Sequence, residues 1–183
     1  MRKTIKTLLL VLVILLVCSG CKKDEIGLDD YCEDINNSMA TVKSVTNNVQ
    51  AYDSNILVYE YLNQMVLLEN GGADVTKTIK SLGNSFELES KTTKETITSL
   101  NKQELFKFNL KEELLNNLEL LDSSIKCEVS AENFNAVFNL QTINISGNAK
   151  CEFIFNANKL TAVKLSFTTT SLKTVEVNIS YLY

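Results

Sequence analysis

Between Ala149 and Tyr183, apolar and polar residues alternate with a period of two, three times in succession. The odd positions Cys151, Phe153 and Phe155 are apolar, with Lys150 and Glu152 on the opposite side. Val163, Leu165 and Phe167 are opposed by Lys164 and Ser166. Val175, Val177, Ile179, Tyr181 and Tyr183 are opposed by Glu176, Asn178 and Ser180. Successive side chains of a strand point to opposite faces, so each segment reads as a strand with one side on a core and the other in water. The links Asn156-Ala157-Asn158-Lys159 and Thr170-Ser171 are short and rich in turn formers, which predicts an antiparallel meander and excludes an all-helical chain.

The upstream sequence has the same texture. Met39–Val49, Ile56–Glu69, Ala73–Ser81 and Phe86–Ile97 read as further strands. Asp53-Ser54-Asn55 and Asn70-Gly71-Gly72 supply turns between them. The Thr-rich Lys91–Thr98 stretch has few apolar residues and suits a sheet edge. Between the two halves the period changes. Leu110, Leu114, Leu115, Leu118 and Leu121 fall on one helical stripe, with Glu112, Glu113, Asn116 and Glu119 off it. Asn109 with Glu112 three residues later resembles a capping box, so a helix is predicted here. Ser124–Val129 follows as a strand. Residues 131–140 have two readings: Phe134, Val137 and Phe138 fit a short helix, and Phe134, Ala136, Phe138 and Leu140 fit a strand. The sum is a single α+β domain over residues 35–183, a curved antiparallel sheet with one or two helices packed on its concave face.

Composition then narrows the chemistry. The chain has no histidine, which removes Ser-His-Asp and Cys-His catalysis and every histidine-ligated metal. Six glycines in 183 residues, and no GxSxG or SxxK string, leave little for a phosphate cradle or a nucleophile elbow. Glu112 and Glu113 are neighbours and do not share a helix face. No catalytic residue, metal ligand or cofactor is assigned, and the expectation is a protein that is not an enzyme. The net charge is −4, and Lys and Arg form no dense cluster interleaved with aromatics, so nucleic acid is excluded as a partner.

Residues 1–20 read as a signal peptide. Arg2, Lys3 and Lys6 precede an apolar run from Leu8 to Val17. Helical, the stretch Ile5–Cys18 would reach about 21 Å, short of the ~30 Å hydrocarbon core of a bilayer. The string Leu16-Val17-Cys18-Ser19-Gly20-Cys21 that follows resembles the lipobox of bacterial lipoproteins. The resemblance implies diacylglycerol on Cys21, cleavage before it and acylation of the new amino group. It places the protein outside the cytoplasm, held to the bacterial cell membrane by acyl chains. Cys18, a second possible acceptor, has Val17 before it where the family has Gly, Ala or Ser. Residues 21–34, with six acids between Asp24 and Asp34, read as the lipidated cysteine and a flexible acidic tether.

Of five cysteines, Cys32, Cys127 and Cys151 remain after these assignments. Cys127 and Cys151 fall on apolar-facing strand positions, where they either pack as free thiols or pair as a disulfide. No CxxC occurs. The apolar positions Leu114, Leu118, Phe134, Phe138, Phe153, Phe155, Val163, Phe167, Val177 and Ile179 are candidates either for lining a cavity or for filling a core. The order of long antiparallel strands, a leucine-rich helix and a terminal meander behind a lipobox resembles the lipoprotein-carrier (LolA-like) half-barrel. That resemblance implies non-catalytic binding of a lipid or another hydrophobic ligand. The alternative is an envelope structural or protein-interaction module with a packed interior.

Overall fold

The computed structural model describes residues 27–102, 105, 108–139 and 143–183. The expected signal segment and Cys21 lie outside these residues.

Helix α1 spans Leu28–Thr41. Leu28, Tyr31, Ile35 and Ser38 recur at helical spacing and are all buried, while Asp29, Asp30 and Glu33 face out. The Gly27 N–H donates to Asp30 Oδ2 at 2.8 Å, and Asp29 and Asp30 sit in the first turn, where negative charge suits the helix dipole. Val42 is extended and ends the helix. Residues 28–34, expected as a flexible tether, are therefore helical. Their charge disguised a sparse apolar stripe. For the same reason the first strand begins at Ser44 instead of Met39.

Among the described residues nine strands follow: β1 (Ser44–Asp53), β2 (Ile56–Leu67), β3 (Ala73–Leu82), β4 (Leu88–Ile97), β5 (Asn116–Leu121), β6 (Ser124–Val129), β7 (Ile145–Asn156), β8 (Lys159–Thr169) and β9 (Thr174–Leu182). A short helix α2 (Phe134–Phe138) lies between β6 and β7. The strands form one open antiparallel sheet in the order β4-β3-β2-β1-β9-β8-β7-β6-β5. The chain runs outward from β1 to the β4 edge, then inward from the β5 edge to β9. Strand β9 closes on β1 with Val45 opposite Tyr181 and Val49 opposite Val177. An α+β fold built on a single antiparallel sheet is thus observed.

Two hairpins use two-residue loops with both residues at positive φ. Ser54 (50°) and Asn55 (68°) lie between the paired Asp53 and Ile56, and Ala157 (47°) and Asn158 (59°) between Asn156 and Lys159. This left-handed geometry matches the twist of the flanking strands, although none of the four residues is glycine.

The leucine helix is corrected. Residues 112–114 form a single 3-10 turn, and Asn116–Leu121 is strand β5, paired with β6. Asn109, the expected cap, instead donates its backbone N–H to Val137 O at 2.8 Å. Asn116 and Asn117 disfavour a helix, Asn117 adopts φ 49°, and the register shifts between Asn116 and Glu119. Pairing with the neighbouring strand prevails over a helical period of only five leucines. For residues 131–140 the short-helix reading holds over Phe134–Phe138. Leu140 lies outside the described residues.

Candidate functional site

Residues opposite one another in an antiparallel ladder share a face. The rows Ile125–Phe153–Val163–Ile179 and Cys127–Cys151–Leu165–Val177 therefore form a continuous apolar surface across β6, β7, β8 and β9. Helix α1 packs against β8, and the Tyr31 ring stands 4.8 Å from that of Phe155. The Tyr31 hydroxyl donates to the Leu121 carbonyl. Burial raises its pKa, with the charges of Asp122 and Asp34 adding to the shift. Ser38 Oγ accepts the Leu160 N–H at 3.0 Å and donates to Asp34 O at 2.7 Å, tying helix to sheet.

The ten apolar candidates lie in or against this core. Phe134 and Phe153 have no exposed surface and Val163 is 1 % exposed; Phe138, Phe155 and Phe167 are also buried. Leu114, Leu118, Val177 and Ile179 are half-buried and pack against the same cluster. The Phe134 ring lies 5.0 Å from Phe167 and 5.1 Å from Phe138. Phe108 meets Phe153 edge-on at 5.2 Å. Contacts of this kind contribute about 0.5–1.5 kcal/mol each beyond the area they bury. Tyr181 is buried at the seam with β1, and its pKa is raised by burial and then by Tyr183.

Cys127 and Cys151 stand directly opposite each other on β6 and β7, both buried and both as free thiols. Cys151 Sγ donates to Ala149 O at 4.0 Å. The proximity of the two thiols lowers the Cys127 pKa, and the same neighbour and burial raise that of Cys151. Cys32, on α1, lies 3.8 Å from Leu110 O, with its pKa raised by burial and by Asp29.

The opposite face of the meander, which the alternation marks only as wet, is charged. It holds an open groove of about 590 Å³ bordered by Glu119, Lys126, Glu128, Lys150, Glu152 and Lys164. Glu152 bridges Lys126 and Lys164, each at 3.6 Å. Asn148 Nδ2 donates to Glu128 Oε2 at 3.1 Å. Charges alternate from strand to strand, and only the cross-strand register reveals it. A second, acidic recess of about 440 Å³ is bordered by Asp30, Glu33, Asp34 and Asp122 beside the Asn156–Asn158 turn. Burial, then Glu33 and Asp30, raise the Asp34 pKa. Among the described residues, no group of three or more Cys, Asp or Glu is arranged to hold a metal ion. No helix among them is long and apolar enough to cross a membrane.

No protein-family model matches the chain, and no curated protein matches it. Among solved structures, the chain is similar to a redesigned β-barrel, mFAP1, bound to DFHBI, with 9% identity, 78% of this chain and 97% of that one covered, and a TM-score of 0.24. It is also similar to a monomeric dehydratase domain from a trans AT polyketide synthase split module, with 12% identity, 78% and 82% covered, and a TM-score of 0.18. At these scores neither likeness bears on the function.

Proposed function

We propose that this chain is a non-catalytic bacterial lipoprotein, held outside the cytoplasm by acyl chains on Cys21, whose domain works as an interaction or structural module through its surface. The observation that carries the surface reading is the filled aromatic centre. Phe134 and Phe153 are wholly buried, and rings from α2, β7, β8 and Phe108 meet at 5.0 to 5.2 Å. A centre packed in this way leaves recognition to the faces and edges of the sheet. The complete lack of histidine supports a role without acid–base chemistry at neutral pH.

A second reading, binding of a lipid or another hydrophobic ligand in a curved half-barrel with helices on its concave side, draws on one observation. The apolar face continues onto β9 and β1, where Val177, Ile179, Val49 and Ala51 are half-buried. Native mass spectrometry of the chain purified from cells, with titration of a fluorescent fatty acid, separates the two. The surface module gives a clean protein mass and no uptake; co-purified acyl species overturn it in favour of the ligand carrier. For the anchor, Cys21→Ser abolishes incorporation of labelled palmitate, and labelling that persists overturns the lipoprotein assignment.

A further inference from the structure

We propose that Cys127 and Cys151 are a dithiol–disulfide couple that, once oxidised, staples β6 to β7 and closes the loop carrying α2. The geometry comes from the ladder. The β6–β7 register runs without a shift from Ser124–Ile154 to Val129–Ala149, and the two cysteines are direct partners within it. Further along the same register the Phe155 N–H donates to Ser123 O at 2.8 Å. By the two-residue repeat of an antiparallel ladder, the cysteines then occupy a hydrogen-bonded pair, where opposite Cα atoms stand about 5.5 Å apart. That separation lies within the ~4.4–6.8 Å Cα span of disulfides, and because the side chains of a hydrogen-bonded pair stand farther apart than those of the alternate pair, the bond draws β6 and β7 slightly together at this point. Both side chains belong to the apolar face and are buried in the same core cluster. Cys32 lies on α1 beside Leu110 O and is the odd thiol left over.

The electron acceptor is another disulfide, either oxidised glutathione or a thiol-oxidising protein. The Cys127 thiolate attacks one acceptor sulfur, breaks the acceptor S–S bond and releases one thiolate. Cys151, as thiolate, then attacks Cys127 Sγ, forms the intramolecular bond and expels the second acceptor thiolate. Two protons and two electrons leave the cysteines and appear as two acceptor thiols. The closed loop contains α2, whose Phe134 packs on Phe167 of β8 and whose Phe138 meets Phe108, so the staple shortens the connection that carries these core rings. The persistence of the disulfide in cells rests on the extracytoplasmic reading; its formation does not.

The test uses the full chain with Cys18→Ser and Cys21→Ser, equilibrated with oxidised glutathione or with a phosphine reductant, then alkylated under denaturation and digested. The expected product is a linked peptide pair containing Cys127 and Cys151, lighter by two hydrogens, with Cys32 alkylated. Full alkylation of Cys127 and Cys151, a stable glutathione adduct on either, or a bridge to Cys32 overturns the proposal. The oxidised and reduced forms share one sequence, so their denaturant curves need no mutant. Oxidation should lower the unfolding equilibrium constant by about 100-fold. An unchanged or higher constant overturns the staple. If the linked pair forms but the unsubstituted chain takes no palmitate at Cys21, the lipoprotein reading fails alone.

Discussion

Ser38 lies 1 % exposed beneath β8 with its hydroxyl used twice, as acceptor from the Leu160 N–H and as donor to Asp34 O. Ser38→Ala strands a buried amide, and a loss of about 1–3 kcal/mol is expected in denaturant unfolding, with the fold retained. Glu60 is held in the opposite manner, by charge. Lys80 Nζ donates to its Oε2 at 2.7 Å and Gln50 Nε2 to its Oε1 at 2.8 Å, and these bonds, led by that of Lys80, lower the carboxyl pKa from its ordinary 4.5. A depressed carboxylate pKa stabilises the fold at pH above 4.5, and that contribution disappears as the pH falls through the lower folded value. Glu60→Gln should therefore cost stability at pH 7 and flatten the decline below pH 4.5, as read from urea midpoints against pH. With Lys80 42 % exposed, the effect at neutral pH is about 0.5–1 kcal/mol.

Among the elements, β4 and β8 are extremes. Among the described residues strand β4 pairs only with β3, and it is exposed along nearly its whole length, with Lys91, Lys94 and Thr residues guarding the edge. Strand β8 lies between β7 and β9 and under α1. Amides of β4 should exchange at least ~10-fold faster than those of β8 in native-state hydrogen exchange, and equal protection would show that the edge is covered. The exposed character of β4 was legible because Lys91–Thr98 has hardly any apolar residues to bury. The meander was legible for the converse reason, since Cys151, Phe153 and Phe155 in β7 and Val163, Leu165 and Phe167 in β8 recur at every second position and fix both the face and the period. The leucines of 110–121 misled because leucine favours both burial and helix, so spacing alone chose the period. The actual arbiter, the ladder with β6, is a contact between elements. Leu28, Tyr31, Ile35 and Ser38 carried a helical signal as well, but the surrounding carboxylates gave the stretch the texture of a tether.

For the whole molecule, the seam between β1 and β9 joins the first hairpins to the last strand, and no local pattern announces which distant strands will meet. The same applies to the alternating Lys and Glu of the groove, which become a charge ladder only after β5 to β9 take their places. The ten apolar candidates could be read as one face from periodicity, whereas their mutual ring contacts depend on where α2 and Phe108 settle. Across this fold the tight reversal at Ala157-Asn158 has a wider consequence. A left-handed backbone at a residue with a Cβ costs about 1–2 kcal/mol, and the chain accepts it in two hairpins with serine, asparagine and alanine instead of glycine. Ala157→Asn combined with Asn158→Gly should raise the melting temperature by about 2–4 °C, as read by calorimetry. The native sequence, in other words, stops short of the thermal ceiling its own architecture permits, and the reserve sits at the solvent-facing tips.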